Sequence, residues 1–253
     1  MTIFICEDHL DGIFTAIYDA WESKKGHGNI KIYVDKIRNL ELFCEYIEVK
    51  TDTEKAAKVA RTVWNKIGSR NYQSLIEAGY SQDAEKADAI YHTIVIGLAL
   101  KNGWEVLNHL SNPYVRKVSE LSRKVWNEVH RYMGFVRFKE LAGGVLFAMI
   151  SPEIHVLPLL GSHFSDRFRN EDWVIYDSNR KIFLLHKKQK QWVLVDGEEL
   201  NLTFVDEISP DEEKLQELWK GFCENISIKE RESYKRQRQV LPLRFRNHMV
   251  EFL

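Results

Sequence analysis

The residues best suited to chemistry lie in the second half of the chain. His163, Asp166 and Arg167 share one helical face at i, i+3 and i+4, and a strand carrying Trp173, Tyr176 and Asp177 follows, with Arg180 beyond it. An imidazole that titrates near neutrality, a guanidinium that grips phosphate and a carboxylate suit acid–base work on a nucleotide or a damaged base. In that reading His163, Arg167 and Asp177 are catalytic. The same residue types equally suit an ion-pair network, Arg167 or Arg180 with Asp177 or Glu171, that stitches helix to sheet. His130, Arg131 and Arg137 stand close by in sequence and could supply the same pocket.

A second candidate is the segment Lys229-Glu-Arg-Glu-Ser-Tyr-Lys-Arg-Gln-Arg-Gln239. It suits a helix, yet only Tyr234 has an apolar body, so nothing in it can dock on a core. At 100° per residue Arg231, Lys235 and Arg238 line one stripe with Tyr234 beside them. Three cations and a stackable ring fit a nucleic-acid backbone. The alternative is a solvated helix laced by Glu230 and Glu232.

Other chemistries find little support. None of the nine histidines forms His-x3-His or HExxH, and no metal site is expected. The cysteine motif of a radical enzyme's iron–sulfur cluster is missing, as are Walker A and GxGxxG loops, so no cofactor is expected. Asp35 and Glu48-Val49-Lys50 close two predicted strands and imitate a nuclease pattern, but charges at strand ends are usually solvated. Ser162 and His163 are adjacent, poor geometry for a base acting on its neighbour.

The 253 residues are 44% hydrophobic and 29% charged, with a formal net charge of −1. A globally basic binder of nucleic acid is therefore excluded, and any such contact must use local patches. An acidic block over 196–217 precedes the basic one at 229–246. It either folds back to mask the cations or solvates a loop and a helix N-terminus. Cys6, Cys44 and Cys223 are widely spaced among apolar neighbours, which reads as buried, reduced thiols in a cytoplasmic protein. The opening Met1-Thr-Ile-Phe-Ile-Cys-Glu-Asp reads as a first strand and not a signal peptide. No apolar run approaches the eighteen or so residues of a membrane span, so no membrane partner is expected.

The periodicity predicts an α+β fold in a single multilayer domain over 1–253, with a boundary near 134 or 200 as the alternative. Residues 1–52 read as strand–helix–strands, with Asp8 or Asp11 capping the helix and strands at Lys31–Val34 and Leu42–Val49. Residues 53–133 are mainly helical and start at Thr51 or Thr53; within them, Val118, Leu121, Val125, Val129 and Tyr132 form one buried stripe. Phe135–Leu141 and Val145–Ile150 read as a hairpin around Gly143-Gly144. A short helix at Pro158–Phe168 precedes an antiparallel meander of three strands, and 210–253 is a helical, basic C-terminal region.

Three blocks carry a family resemblance: Glu128-Val-His-Arg-Tyr-Met-Gly-Phe-Val-Arg-Phe138; Pro158-Leu-Leu-Gly-Ser-His-Phe-Ser-Asp-Arg-Phe168 with Trp173–Asp177; and Ile228-Lys-Glu-Arg through Pro242 to Phe252. Together they resemble the bacterial "probable DNA metabolism protein" family. Its members are typically encoded beside a radical SAM protein of DNA modification or repair, and related domains occur fused to uracil-DNA-glycosylase-like domains. The resemblance implies a DNA repair or modification role, with DNA and a radical SAM protein as partners. It carries over His130, Arg131, Gly134, Arg137, Phe138, His163, Phe164, Arg167, Trp173, Asp177, Lys229, Arg231 and Gln239. Similar sequences place aromatic residues after the proline, where this chain has Leu243-Arg-Phe-Arg246. A DNA-binding accessory protein is thus the first expectation, with His130, Arg131, Arg137, Trp173, Lys229, Arg231, Tyr234, Lys235, Arg238 and Gln239 as contacts and Tyr234 or Trp173 stacking on an exposed base. An enzyme using His163, Arg167 and Asp177 is the second, and a protein-interaction scaffold the third.

Overall fold

The computed structural model describes residues 1–35, 41–197, 205, 207–226 and 228–252, with only the backbone of Lys229. The fold is α+β. Where the sequence predicted one domain, the chain packs as two compact units, Met1–Asn127 and Glu128–Leu253.

In the first unit, β1 (Thr2–Cys6) lies between β2 (Ile30–Val34) and β3 (Glu45–Glu48), parallel to both. A central parallel strand is covered on both faces, which explains the unbroken run Ile-Phe-Ile with Ile3 and Phe4 buried. Helix α1 (Leu10–Glu22) makes the crossover from β1 to β2. Its cap is His9, not Asp8 or Asp11: His9 Nδ1 accepts from Gly12 N at 3.1 Å while Nε2 is held 3.1 Å from Glu7. Asp8 is engaged elsewhere, by the buried Lys86, whose Nζ also donates to Ser81 O at 2.5 Å. Because β1 separates β2 from β3, Asp35 and Glu48 do not lie on adjacent strand ends, and the nuclease-like pattern dissolves.

Helix α2 (Thr53–Ile67) is capped by Asp52, which accepts from the backbone of Glu54 and Lys55 at 2.9 and 3.1 Å. The helix starts at Thr53, one of the two expected starts, and this carboxylate satisfies the orphan N–H groups of its first turn. α3 (Ser69–Gly79), α4 (Lys86–Ala99) and the start of α5 (Pro113–Phe135) complete the unit. α4 is buried around most of its circumference, through Ala87, Ala89, Ile90, Tyr91, Thr93, Ile94 and Gly97, as its density of Ile, Val and Ala requires.

The second unit is a five-stranded mixed sheet in the order β4 (Lys139–Glu140), β5 (Leu146–Ile150), β6 (Trp173–Asp177), β7 (Ile182–His186) and β8 (Val193–Asp196). The antiparallel meander holds for β6, β7 and β8. β5, however, runs parallel to β6, joined through α6 (Leu157–Arg167). The hairpin at Gly143-Gly144 forms, with Gly144 at φ 75°, but β4 is only two residues long. Its expected first residue, Phe135, belongs to α5, where its ring packs 5.5 Å from Phe245. α7 (Pro210–Ile226) and α8 (Tyr234–Val240) follow, and short 3-10 turns at Leu243–His248 and Val250–Phe252 bring the tail back to the sheet. Among the described residues, no helix is long and apolar enough to cross a membrane.

Cys6 is buried, and burial pushes its thiol up to about 12. Cys44 and Cys223 are half-buried, less enclosed than their neighbours implied; all three are free.

Gly12 sits where a Cβ would come within 2.6 Å of the Glu7 carbonyl oxygen. Gly12→Ala should therefore cost roughly 1–3 kcal/mol through displacement of the first turn of α1, read as a lowered denaturant midpoint with unchanged slope.

Candidate nucleic-acid interface

His163, Arg167 and Asp177 differ sharply in exposure: half-buried, exposed and fully buried. No hydrogen bond or ion pair among the described residues joins them. Asp177 is fully buried at the end of β6, and its carboxylate is spent on its own turn: it accepts from the backbone of Asn179 and Arg180 at 3.0 and 3.2 Å and from the Arg180 guanidinium at 3.1 Å. Arg180 continues to the carbonyl oxygens of Pro152 and Glu153 at 3.0 and 2.6 Å. This is the stitching alternative, with Arg180 as the partner. Arg167 is exposed, its guanidinium 5.6 Å above the Phe168 ring. His163 is half-buried against Phe164, and its Nε2 is enclosed without a hydrogen-bond partner.

Trp173 cannot stack on a base. It is fully buried, sandwiched flat against His186 at 5.0 Å and edge-on to Phe164 and Phe138 at 6.2 and 6.4 Å. The period-2 alternation of β6 turns Trp173, Ile175 and Asp177 to one face and Val174 and Tyr176 to the other. Both faces are covered, so the strand has no open side.

The N-terminal cations of this unit are largely committed. Arg137 holds Glu251 through Nε and Nη2 at 3.1 and 2.8 Å, donates to Gly134 O at 3.1 Å, and lies 5.8 Å from the Trp219 ring. Burial pushes the Glu251 carboxyl up, but the Arg137 hydrogen bond and a backbone N–H outweigh it and leave it below the usual carboxylate range. Arg131 lies 5.8 Å over Phe245, and His130 is exposed on α5.

The predicted eleven-residue helix is broken. Lys229–Arg231 is a 3-10 turn, and Ser233 restarts the chain as the cap of α8, accepting from Arg236 N at 3.4 Å. Serine is a better cap than an interior helical residue because its hydroxyl competes for backbone N–H groups. The break takes Arg231 off the stripe, leaving Lys235 and Arg238 at i, i+3 beside Tyr234. Residues 231–240 are exposed throughout, Gln239 included, and the Arg238 guanidinium covers one face of Tyr234 at 5.6 Å. The side chain of Lys229 lies outside the described residues.

What anchors this exposed segment came from residues that sequence reasoning had not singled out. Glu128, 4% exposed, accepts from Glu153 N at 3.0 Å, Ile154 N at 3.3 Å and Arg244 Nη2 at 3.2 Å, and Arg244 also bridges to Glu153. A signal existed: Glu128 falls on the stripe Val125, Val129, Tyr132, where an acid must have a buried partner. His248 Nε2 lies 2.7 Å from Ser151 Oγ, which is 2.7 Å from Ser178 Oγ. Burial holds His248 below its ordinary value of 6.5. The His248–Ser151 pair spans 97 residues and the Glu128–Arg244 pair 116, and no local pattern reveals them. Phe245 is buried against Tyr132 at 4.9 Å, so the aromatic after the proline packs the tail. Beside the tail, a groove of ≈ 950 Å³ is lined by Arg137, Phe138, Phe147, Met149, Trp219 and His248 among others.

Residues 84–251, two-thirds of the chain and nearly all of the second unit, match the family model for a domain of unknown function, DUF4130. The chain belongs to the DUF4130 family. No curated protein matches it. Among solved structures, a DHH-domain protein described as a member of the s1p family of ribosomal proteins aligns over 73% of this chain and 73% of its own, at 10% identity and a TM-score of 0.31. In this DUF4130 chain the anchored tail and the exposed α8 both fall inside the matched residues.

Three substitutions separate structural from exposed roles. Trp173→Ala should cost about 3–5 kcal/mol as a large cavity, and Asp177→Ala about 3–5 kcal/mol by stranding Arg180. Arg167→Ala should stay within about 0.5 kcal/mol of the parent; chemical melts of all three check this.

The lowered His248 also sets a pH dependence. The unfolded chain takes up this proton near 6.5 and the folded protein only at lower pH. The stabilisation is therefore complete above 6.5 and lost as pH falls towards the folded value. Thermal midpoints between neutral and mildly acidic pH should fall less steeply in His248→Gln than in the parent.

Proposed function

We propose that this protein is a DNA-binding accessory protein of DNA repair or modification, acting in the cytoplasm beside a radical SAM partner. The observation that carries the DNA contact is the segment 231–240. It presents Arg231, Lys235, Arg236 and Arg238 around Tyr234, wholly exposed, between an anchored tail and α7. Cations held on an anchored segment gain phosphate contacts without ordering a whole chain at the moment of binding. Phosphate neutralisation supplies the affinity and releases counterions. Tyr234, with one face under Arg238, has the other available for an unpaired base. The radical SAM partner rests on the family resemblance of the three sequence blocks. Arg137, Arg180 and Arg244 hold carboxylates and carbonyls, which leaves the C-terminal segment as the contact surface of this reading. The enzyme alternative is weakened because Asp177, its carboxylate, is fully buried in a turn.

Lys235→Ala with Arg238→Ala should weaken binding to single-stranded and duplex DNA of unrelated sequences alike. Each lost contact should flatten the log K against log salt slope by about 0.7–0.9. Fluorescence anisotropy across a salt series measures both. Affinity unchanged at low salt would refute the reading, and turnover of damaged DNA by the purified protein would move the assignment to the enzyme class.

A further inference from the structure

Two helices of the first unit turn polar stripes toward one cleft. Arg70, Gln73, Ser74 and Glu77 recur at i, i+3, i+4 and i+7 along α3, and Ser119, Ser122, Arg123 and Trp126 do so along α5. Both sets line a cleft of ≈ 510 Å³, within the size range of ligand sites. Helix faces that meet are ordinarily apolar, yet this lining is polar apart from Leu107 and the indole of Trp126. Ser122 Oγ donates to Glu77 Oε2 at 2.6 Å and ties the two helices together. Glu77 is 7% exposed, and its other oxygen accepts from Gln73 Nε2 at 3.3 Å, so the walls themselves engage this acid.

The cations of the cleft are left open. Lys31, Lys55, Lys86 and Lys117 of the same unit all hold carboxylates. Arg70 and Arg123 are exposed, and among the described residues neither has an ion pair or a hydrogen-bond partner. Two like charges sharing a cleft repel each other and gain from an anion between them. Indoles are usually well covered, but Trp126 is 46% exposed in the same wall. Trp104 is 71% exposed and lies against Gly68, two residues before Arg70.

We infer that this cleft binds single-stranded nucleic acid, with Arg70 and Arg123 on the phosphate backbone and Trp126 stacked on an unpaired base. Guanidinium forks match phosphate oxygens, and the hydroxyls of Ser74 and Ser119 line the same cleft as further donors. Two arginines alone would suit any anion, an acidic peptide included. The open indole beside them selects a ligand that carries one flat ring for each charge, which is the repeat of a nucleic-acid strand. A duplex offers the phosphates but keeps its bases stacked on each other. Glu77 repels a phosphate placed deep and so favours one at the rim, with the arginines. The contact uses none of the residues 231–240, so it holds or fails independently of the C-terminal segment.

Fluorescence anisotropy of a labelled oligo-dT with the full chain tests this. Arg70→Ala with Arg123→Ala should weaken binding by on the order of 10-fold or more. Each lost contact should also flatten the log K against log salt slope by about 0.7. The same losses should appear when Lys235→Ala and Arg238→Ala are already present. Trp126→Ala should weaken single-strand binding by on the order of 10-fold, Trp126→Phe much less, and neither should change binding to a duplex. Both arginines are exposed, so unchanged melting of their variant verifies the fold. A parent that does not bind oligo-dT, or affinity and slope indifferent to the arginine pair, overturns the inference. Losses at Arg70 and Arg123 with none at Lys235 and Arg238 uphold it and overturn the C-terminal contact instead. Losses at the arginines with none at Trp126→Ala overturn the base contact and leave the cleft to a different anion, and a Trp126→Ala loss equal on duplex overturns the single-strand assignment.

Discussion

A carboxylate removed from water must be paired or protonated, and Glu128 meets that constraint for the whole second unit. Its two oxygens gather the backbone of Glu153 and Ile154 at the entry to α6 and the guanidinium of Arg244 from the tail. Without Arg244 the acid would be buried with two neutral donors, so the tail is drawn to α5 by electrostatics as much as by the packing of Phe245 on Tyr132 and Phe135. The second clamp, Arg137 on Glu251, acts on the last turn of the same tail. Two ion pairs and the His248–Ser151 hydrogen bond fix where the chain returns, and hence where the segment before it must stand clear.

That division sorts the cations of the unit by what they do. Arg137, Arg180 and Arg244 use the planar fork of arginine against carboxylates and carbonyl oxygens, a geometry lysine does not reproduce. Arg231, Lys235, Arg236 and Arg238 keep their charge at the surface. A protein of net charge −1 concentrates its binding potential in this way, and the long-range field of the remaining acids weakens it less at physiological salt than the formal count implies.

The sheet of the second unit makes the complementary point about the other candidates. β6 is central, flanked by parallel β5 and antiparallel β7, and is covered on both faces. Residues placed on it serve packing and turn geometry. The polar richness of Trp173–Arg180 records the cost of closing a buried turn with a charged pair, met by five hydrogen bonds to backbone and side chain.

The sequence by itself determined what local physics controls. Apolar period gave α1, α2, the central α4 and the stripe of α5; the run Ile-Phe-Ile gave the buried β1; Gly143-Gly144 gave the turn before β5; and the scarcity of apolar residues in 230–239 gave an exposed segment. It also established the α+β class. Tertiary structure alone decided three matters. Parallel pairing of β5 with β6 depends on α6 crossing over the sheet, which no strand pattern encodes. The partners of Asp177, Glu128 and His248 depend on which loops arrive, at separations from two residues to more than a hundred, and side-chain type cannot distinguish a catalytic carboxylate from a buried tie. The break at Ser233 replaced a regular stripe with a turn and a short helix, because a hydroxyl that caps the backbone competes with the helical period on nearly equal terms.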